Sequence, residues 1–147
     1  MTVSNTSVRS VVNSIPHKYS TLALKKTTTS DAQTTLTSDG QNASASNQII
    51  FLNDSTYTFN ILVVARRSDN NGENAGWEFK GVAIRNINAA STSILGVSKT
   101  TIHKTTPAWD CNIVVDTVYG GLSVKCVGQS NKTIKWVATV NIVEVTG

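Results

Sequence analysis

Every second residue between Tyr57 and Ala65 is apolar: Tyr57, Phe59, Ile61, Val63 and Ala65. A period of two is the signature of a β-strand, whose successive side chains leave on opposite faces. The pattern recurs at Trp77, Phe79, Gly81 and Ala83, at Trp109, Cys111, Ile113 and Val115, at Leu122, Val124 and Cys126, and at Ile134, Trp136, Ala138, Val140 and Ile142. Shorter strand candidates lie at residues 19–24, 33–37, 48–52 and 93–97, and polar turns rich in Gly, Asn and Asp separate them. No stretch has a convincing helical period. The spacing predicts an all-β chain: an antiparallel β-sandwich or jelly roll of about nine strands.

A length of 147 residues fits one domain, large enough to bury a core without disulfides or metals. Charged residues make up 15%, and Ser, Thr and Asn take their place, as on β-rich surfaces. The net charge of +4 looks thinly spread, with Lys25-Lys26 and Arg66-Arg67 as the doublets. A nucleic-acid partner, which needs a concentrated basic patch, is therefore not expected. No membrane contact is expected either, since no apolar run approaches a spanning helix. The N-terminal residues lack the apolar centre of a secretory signal, which predicts assembly in a cytosol. Residues 1–16, closed by Pro16, read as a short N-terminal arm ahead of a β-sandwich domain at 17–147. Val8, Val11, Val12 and Ile15 would be out of place in a permanently solvated tail, so they are the predicted docking residues of that arm.

The second face of several strands is also apolar. Leu62 and Val64 lie opposite Ile61 and Val63, Val82 and Ile84 opposite Gly81 and Ala83, and Val137, Val143 and Val145 away from Trp136 and Ile142. A strand apolar on both faces is central between layers or lies at an interface. With no helices to cover a sheet, Leu62, Val64, Val82, Ile84 and Val137 are the predicted subunit interface.

Chemistry-bearing residues are sparse. Cys111 and Cys126, Ile113 and Val124, and Val115 and Leu122 are each equidistant from one turn at residues 117–120, which predicts a single antiparallel hairpin with the two cysteines directly opposed. Such a pair is within disulfide reach, but a reducing cytosol favours free, buried thiols. His17 and His103 have no nucleophile placed beside them. The Arg66–Gly76 loop holds Asp69, Asn70, Asn71, Gly72 and Glu73 but lacks the spacing of a calcium loop, so it reads as a polar hairpin tip. No two carboxylates are placed as a glycosidase pair. No catalytic residue, metal or cofactor is predicted. Trp77, Trp109, Trp136 and Tyr57 sit on core faces, which leaves Tyr119, in a hairpin loop, as the exposed aromatic contact.

The segments DSTYTFNILVVARRSDNNGENAGWEFKGVAIRN, AWDCNIVVDTVYGGLSVKCVG and KTIKWVATVNIVEV together resemble a β-structured domain of tailed-phage virion surface proteins, often found at the C-terminal end of tail fibres. The resemblance runs from about His17 to Val145. Its most specific pieces are the ARR hairpin, AWD and the KTI-W-V-EV ending, which are packing motifs and carry over no catalytic residue. The resemblance implies a homotrimer on the virion surface. The short arm in place of a fibrous shaft points to a capsid decoration (cement) protein, a non-enzymatic virion structural protein stabilising the capsid exterior. Its partners would be other copies of itself and the major capsid protein or other virion proteins. The alternative reading is a tail-fibre head domain binding a host-surface receptor.

Overall fold

The computed structural model describes the backbone of residues 6–12, 15–70 and 72–147, and the side chains of residues 18–70 and 72–147. The described chain is an antiparallel β-sandwich. Its strands are β1 (Thr6–Val12), β2 (Ile15–Thr28), β3 (Thr34–Thr35), β4 (Ile49–Ile50), β5 (Ser55–Arg67), β6 (Asn74–Arg85), β7 (Ser93–Lys104), β8 (Asp110–Asp116), β9 (Gly121–Val127) and β10 (Ile134–Thr146). Its one helical element is a 3-10 turn at Ala89–Ser91. The six-stranded sheet runs β1-β2-β10-β5-β6-β7. In the smaller sheet β9 is central, pairing with β8 along one side and with β3 and β4 along the other.

Backbone pairing reaches further toward the N-terminus than the alternation predicts. Thr6–Val12 pairs with β2, with Val12 opposite Ile15 and Thr6 opposite Thr21. The division at residues 16 and 17 thus falls inside β2. Strand β7 is also longer than the predicted segment and includes His103.

Most of the predicted inward set is buried, while Gly81, Ile113 and Val115 are half-buried. Ile61, Phe59, Trp77, Phe79, Trp136, Val140, Leu122, Val124, Cys111 and Cys126 are all buried. Three tryptophans join the layers: Trp77 and Trp136 stack with ring centres 5.7 Å apart, and Trp109 meets Trp136 at 6.1 Å. Room for these rings comes from small residues placed across the strands, with Trp136 opposite Ala65 and Trp77 facing Thr101 on one side and Val63 on the other. The Trp136 Nε1 donates to Thr28 Oγ1 at 2.9 Å.

The hairpin register is as predicted. Cys111 pairs with Cys126, Ile113 with Val124 and Val115 with Leu122. Both cysteines are free and buried. Burial raises the Cys111 thiol far above its ordinary value and pushes Cys126 up to about 12, so neither is a thiolate near neutral pH.

Each end of the sandwich is tied by one side chain. At one end Glu73 accepts from Arg67 Nη1 at 2.6 Å, from Lys132 Nζ at 2.5 Å and from Thr106 Oγ1 at 2.7 Å, which joins the β5–β6, β7–β8 and β9–β10 loops. These donors hold the Glu73 carboxyl down to about 2. At the other end Arg85 donates to Asn53 Oδ1 and to the carbonyls of Phe51, Tyr119 and Gly120. Gly120 has φ +83°, and a Cβ there would meet Arg85 Nη1 at 2.3 Å, so the clamp needs glycine.

The β7 edge carries two irregularities of register against β6, at Gly76/Trp77 and Val82/Ala83. Its Lys99, in register with the buried Phe79, reaches across to β8 and donates to Asp110 Oδ1 at 2.7 Å and Asn112 Oδ1 at 3.0 Å.

Candidate functional site: the uncovered face of the large sheet

The small sheet covers one face of the large sheet. The alternate residues of β5, β6 and β10 point the other way, and the register arranges them in rows across the strands. Val145, Thr56 and Ile84 form the first row, and Tyr19, Val143, Thr58 and Val82 the second. Thr21, Asn141, Asn60, Lys80 and Ser98 form the third, and Ala23, Thr139, Leu62 and Glu78 the fourth. Lys25, Val137, Val64 and Gly76 make the fifth, and Thr27, Lys135, Arg66 and Asn74 the sixth.

The five predicted interface residues therefore share a face but not a patch. Val82 and Ile84, both half-buried, lie at one end beside Val143 and Val145, which are 55% and 44% exposed. Leu62 and Val64, 48% and 57% exposed, lie with the half-buried Val137 at the other end. Four residues along β5 separate Leu62 from Thr58, roughly 13 Å of strand. Between the patches runs the polar third row. Asn141 Oδ1 accepts from Thr21 Oγ1 at 3.1 Å and from Tyr19 Oη at 3.3 Å.

The two ends differ in charge. In the first two rows, around Val143 and Val145, the described outward residues are neutral, and Lys80 in the polar third row is the cation beside them. Around Val64 and Val137 stand Lys25, Arg66 and Lys135, one from each of β2, β5 and β10. Lys135 is directly opposite Arg66. Each basic doublet is split by the strand period. Lys26 and Arg67 take the inward side, where Lys26 donates to Gln41 O and Arg67 pairs with Asp69 and Glu73. Lys25 and Arg66 take the outward side. No described carboxylate lies within ion-pair distance of Lys25, Arg66 or Lys135.

Tyr119 is exposed, as predicted, at the tip of the β8–β9 hairpin. Asp116 Oδ1 fixes that turn by accepting from the Val118 and Tyr119 amides. The side chains of the docking set Val8, Val11, Val12 and Ile15 lie outside the described residues. His103 contacts Thr105. Among the described residues no three His, Cys, Asp or Glu side chains come together as a metal site, and no helix is long and apolar enough to cross a membrane.

The basic trio escaped sequence reading because its members come from three segments, and no local spacing links them. The signal that finds it is the phase of each doublet within its strand, combined with the placement of β10 between β2 and β5.

No family model matches the chain, and no curated protein matches it by sequence. Among solved structures it is similar to the tailspike protein of Acinetobacter phage vB_ApiP_P1, at 12% identity and a TM-score of 0.39. The similarity covers 87% of this chain and 22% of the tailspike, so the chain spans less than a quarter of that protein's length.

Proposed function

We propose that this chain is a non-enzymatic structural module of a phage virion, assembled as a trimer and decorating the capsid exterior. The sequence resemblance to virion surface domains supplies the setting. The observation that carries the mechanism is the uncovered, neutral apolar end of the large sheet, where Val82, Ile84, Val143 and Val145 stand on a rigid sheet with the threonine methyls of β5 between them. Such a surface suits contact between copies, because burying it removes apolar area from water at roughly 25 cal/mol per Å² and its first two rows bring no described charges together. Three linked copies would then hold a shell by avidity, with the segment carrying Val8, Val11, Val12 and Ile15 as a docking element.

A tail-fibre head is the second reading, favoured by the fixed exposure of Tyr119 at a loop tip. Light scattering on the purified chain tests the trimer, with about three chains per particle expected and a stable monomer at micromolar concentration overturning it. A cryo-EM map of the particle tests the location. Density on the shell lattice supports decoration, and density at the tail supports the fibre head.

A further inference from the structure

We infer that the basic end of the uncovered face, formed by Val64, Val137 and Leu62 with Lys25, Arg66 and Lys135, docks an acidic apolar segment of a different protein. The inference rests on the structural reading above and specifies the partner chemistry of one part of that face.

The first argument is electrostatic. Directly opposed like charges weaken a strand pair, yet Lys135 faces Arg66 with no carboxylate beside either. Of the other cations at this end of the sandwich, Arg67 and Lys132 are bound to Glu73, whereas Lys26 and Lys104 donate to the carbonyls of Gln41 and Pro107. The Lys25 stem lies along Gly40, where a Cβ would be in ordinary contact with it at 3.5 Å. Beside it Lys25, Lys26, Lys135 and Val137 line a shallow concavity of about 420 Å³. One carboxylate, Asp39, touches that concavity. Its Oδ1 is occupied by the Gln41 amide, Thr37 Oγ1 and Asn47 Nδ2. In the row next to Val64, Glu78 sits 3.7 Å from Lys80. Positive charge therefore outweighs negative around this patch.

The second argument excludes another copy of this chain as the occupant. Two copies meeting through the patch would bring Lys25, Arg66 and Lys135 against their own equivalents. The rest of the described surface offers no complementary cluster either. Asp69, Glu73 and Asp110 are paired with Arg67, Lys132 and Lys99. Asp39 and Asp116 accept backbone amides, Glu78 lies beside Lys80, Glu144 is buried, and Asp31 and Asp54 stand apart in the chain.

The third argument separates protein from nucleic acid. A phosphate backbone would satisfy the cations but leave Leu62 and Val64, about half exposed, uncovered. A segment alternating carboxylates with apolar side chains satisfies both, because its period matches a sheet surface on which cations and valines sit in neighbouring rows.

The test uses the full chain with three probes of equal length: a peptide alternating Glu and Leu, an oligoglutamate, and a single-stranded DNA oligonucleotide. Calorimetric titration at low and physiological salt is expected to show the Glu-Leu peptide binding at least tenfold more tightly than either other probe. Binding should fall at least tenfold in K25Q/R66Q/K135Q and also in Val64→Ser, while the single variant R66Q, at one exposed position, gives an intermediate loss. The melting temperature of Lys135→Gln should not fall, since a like-charge contact is relieved. Light scattering on the same samples should give the wild-type particle mass for every variant. A monomeric wild type overturns the trimer and leaves the docking result readable. Equal binding by wild type and triple variant, equal or tighter binding of the oligonucleotide, or equal binding of oligoglutamate each overturns the docking inference.

Discussion

The two ends of the uncovered sheet face are built from the same strands and the same alternation, yet they differ in kind. Around Val143 and Val145 the neighbours are threonine, valine, isoleucine and tyrosine, with Lys80 in the adjoining polar row. Around Val64 and Val137 they are lysine and arginine. Strand period alone treats the two ends as one interface, and cross-strand register divides them. Apolar exposure identifies a surface that is to be covered, and the charge beside it identifies what can cover it.

Four substitutions probe that division, in order of decreasing effect. Ile61 and Leu62 are chain neighbours on opposite faces, the first fully buried and the second 48% exposed. Ile61→Ala should cost about 3 kcal/mol, whereas Leu62→Ala should stay within about 0.5 kcal/mol in the isolated chain, both read by chemical denaturation. Comparable losses would mean that the outer face is already covered within one copy.

The double variant V82D/V143D should dissociate the proposed trimer, seen as a fall in mass by analytical ultracentrifugation. The matching pair L62D/V64D should keep it assembled. The reverse outcome would exchange the roles of the two ends.

The third probe concerns the knot behind the basic end. The folded Glu73 carboxyl titrates near 2, against an ordinary 4.5. A depressed carboxyl contributes stability above its unfolded value and loses it as pH falls through the folded one. Stability should therefore decline between about pH 4.5 and 2, and Glu73→Gln should flatten that part of the curve and lower stability at pH 7. Denaturation midpoints at pH 7, 4 and 2.5 would show an unchanged slope if the knot contributed nothing.

The smallest effect is at Lys135. Replacing it with Gln relieves the contact with Arg66, and a gain of about 0.2–1 kcal/mol is expected, read as a small rise in melting temperature. A clear fall would show that Lys135 has a stabilising partner.

Much of the fold was legible because short-range alternation decides it. The inward residues of β5, β6, β8, β9 and β10 could be named from sequence, and the shared turn fixed Cys111 opposite Cys126. A one-residue slip there would have exchanged Val124 with Ser123 and Lys125 across the faces. The pairing of Thr6–Val12 with β2 was not legible, since Ser and Asn interrupt the apolar residues and the partner strand supplies the order. Nor was the division of Leu62, Val64 and Val137 from Val82 and Ile84. It depends on β10, the last strand, inserting between β2 and β5, a long-range choice that no window of sequence records. The charge at Lys25 and Arg66 looked diffuse for the same reason, as two doublets about forty residues apart turn one member each toward neighbouring rows of one face.

Strand β7 bounds the large sheet on one side, and its irregular pairing has a consequence for crowding. A straight, unbroken edge of twelve residues would template further strands, so that copies held close together would zip into ribbons of indefinite length. Two slips of register and the inward Lys99 deny an incoming chain a continuous ladder. On that side the pairing is broken, and copies packed as proposed would meet through side chains rather than through backbone.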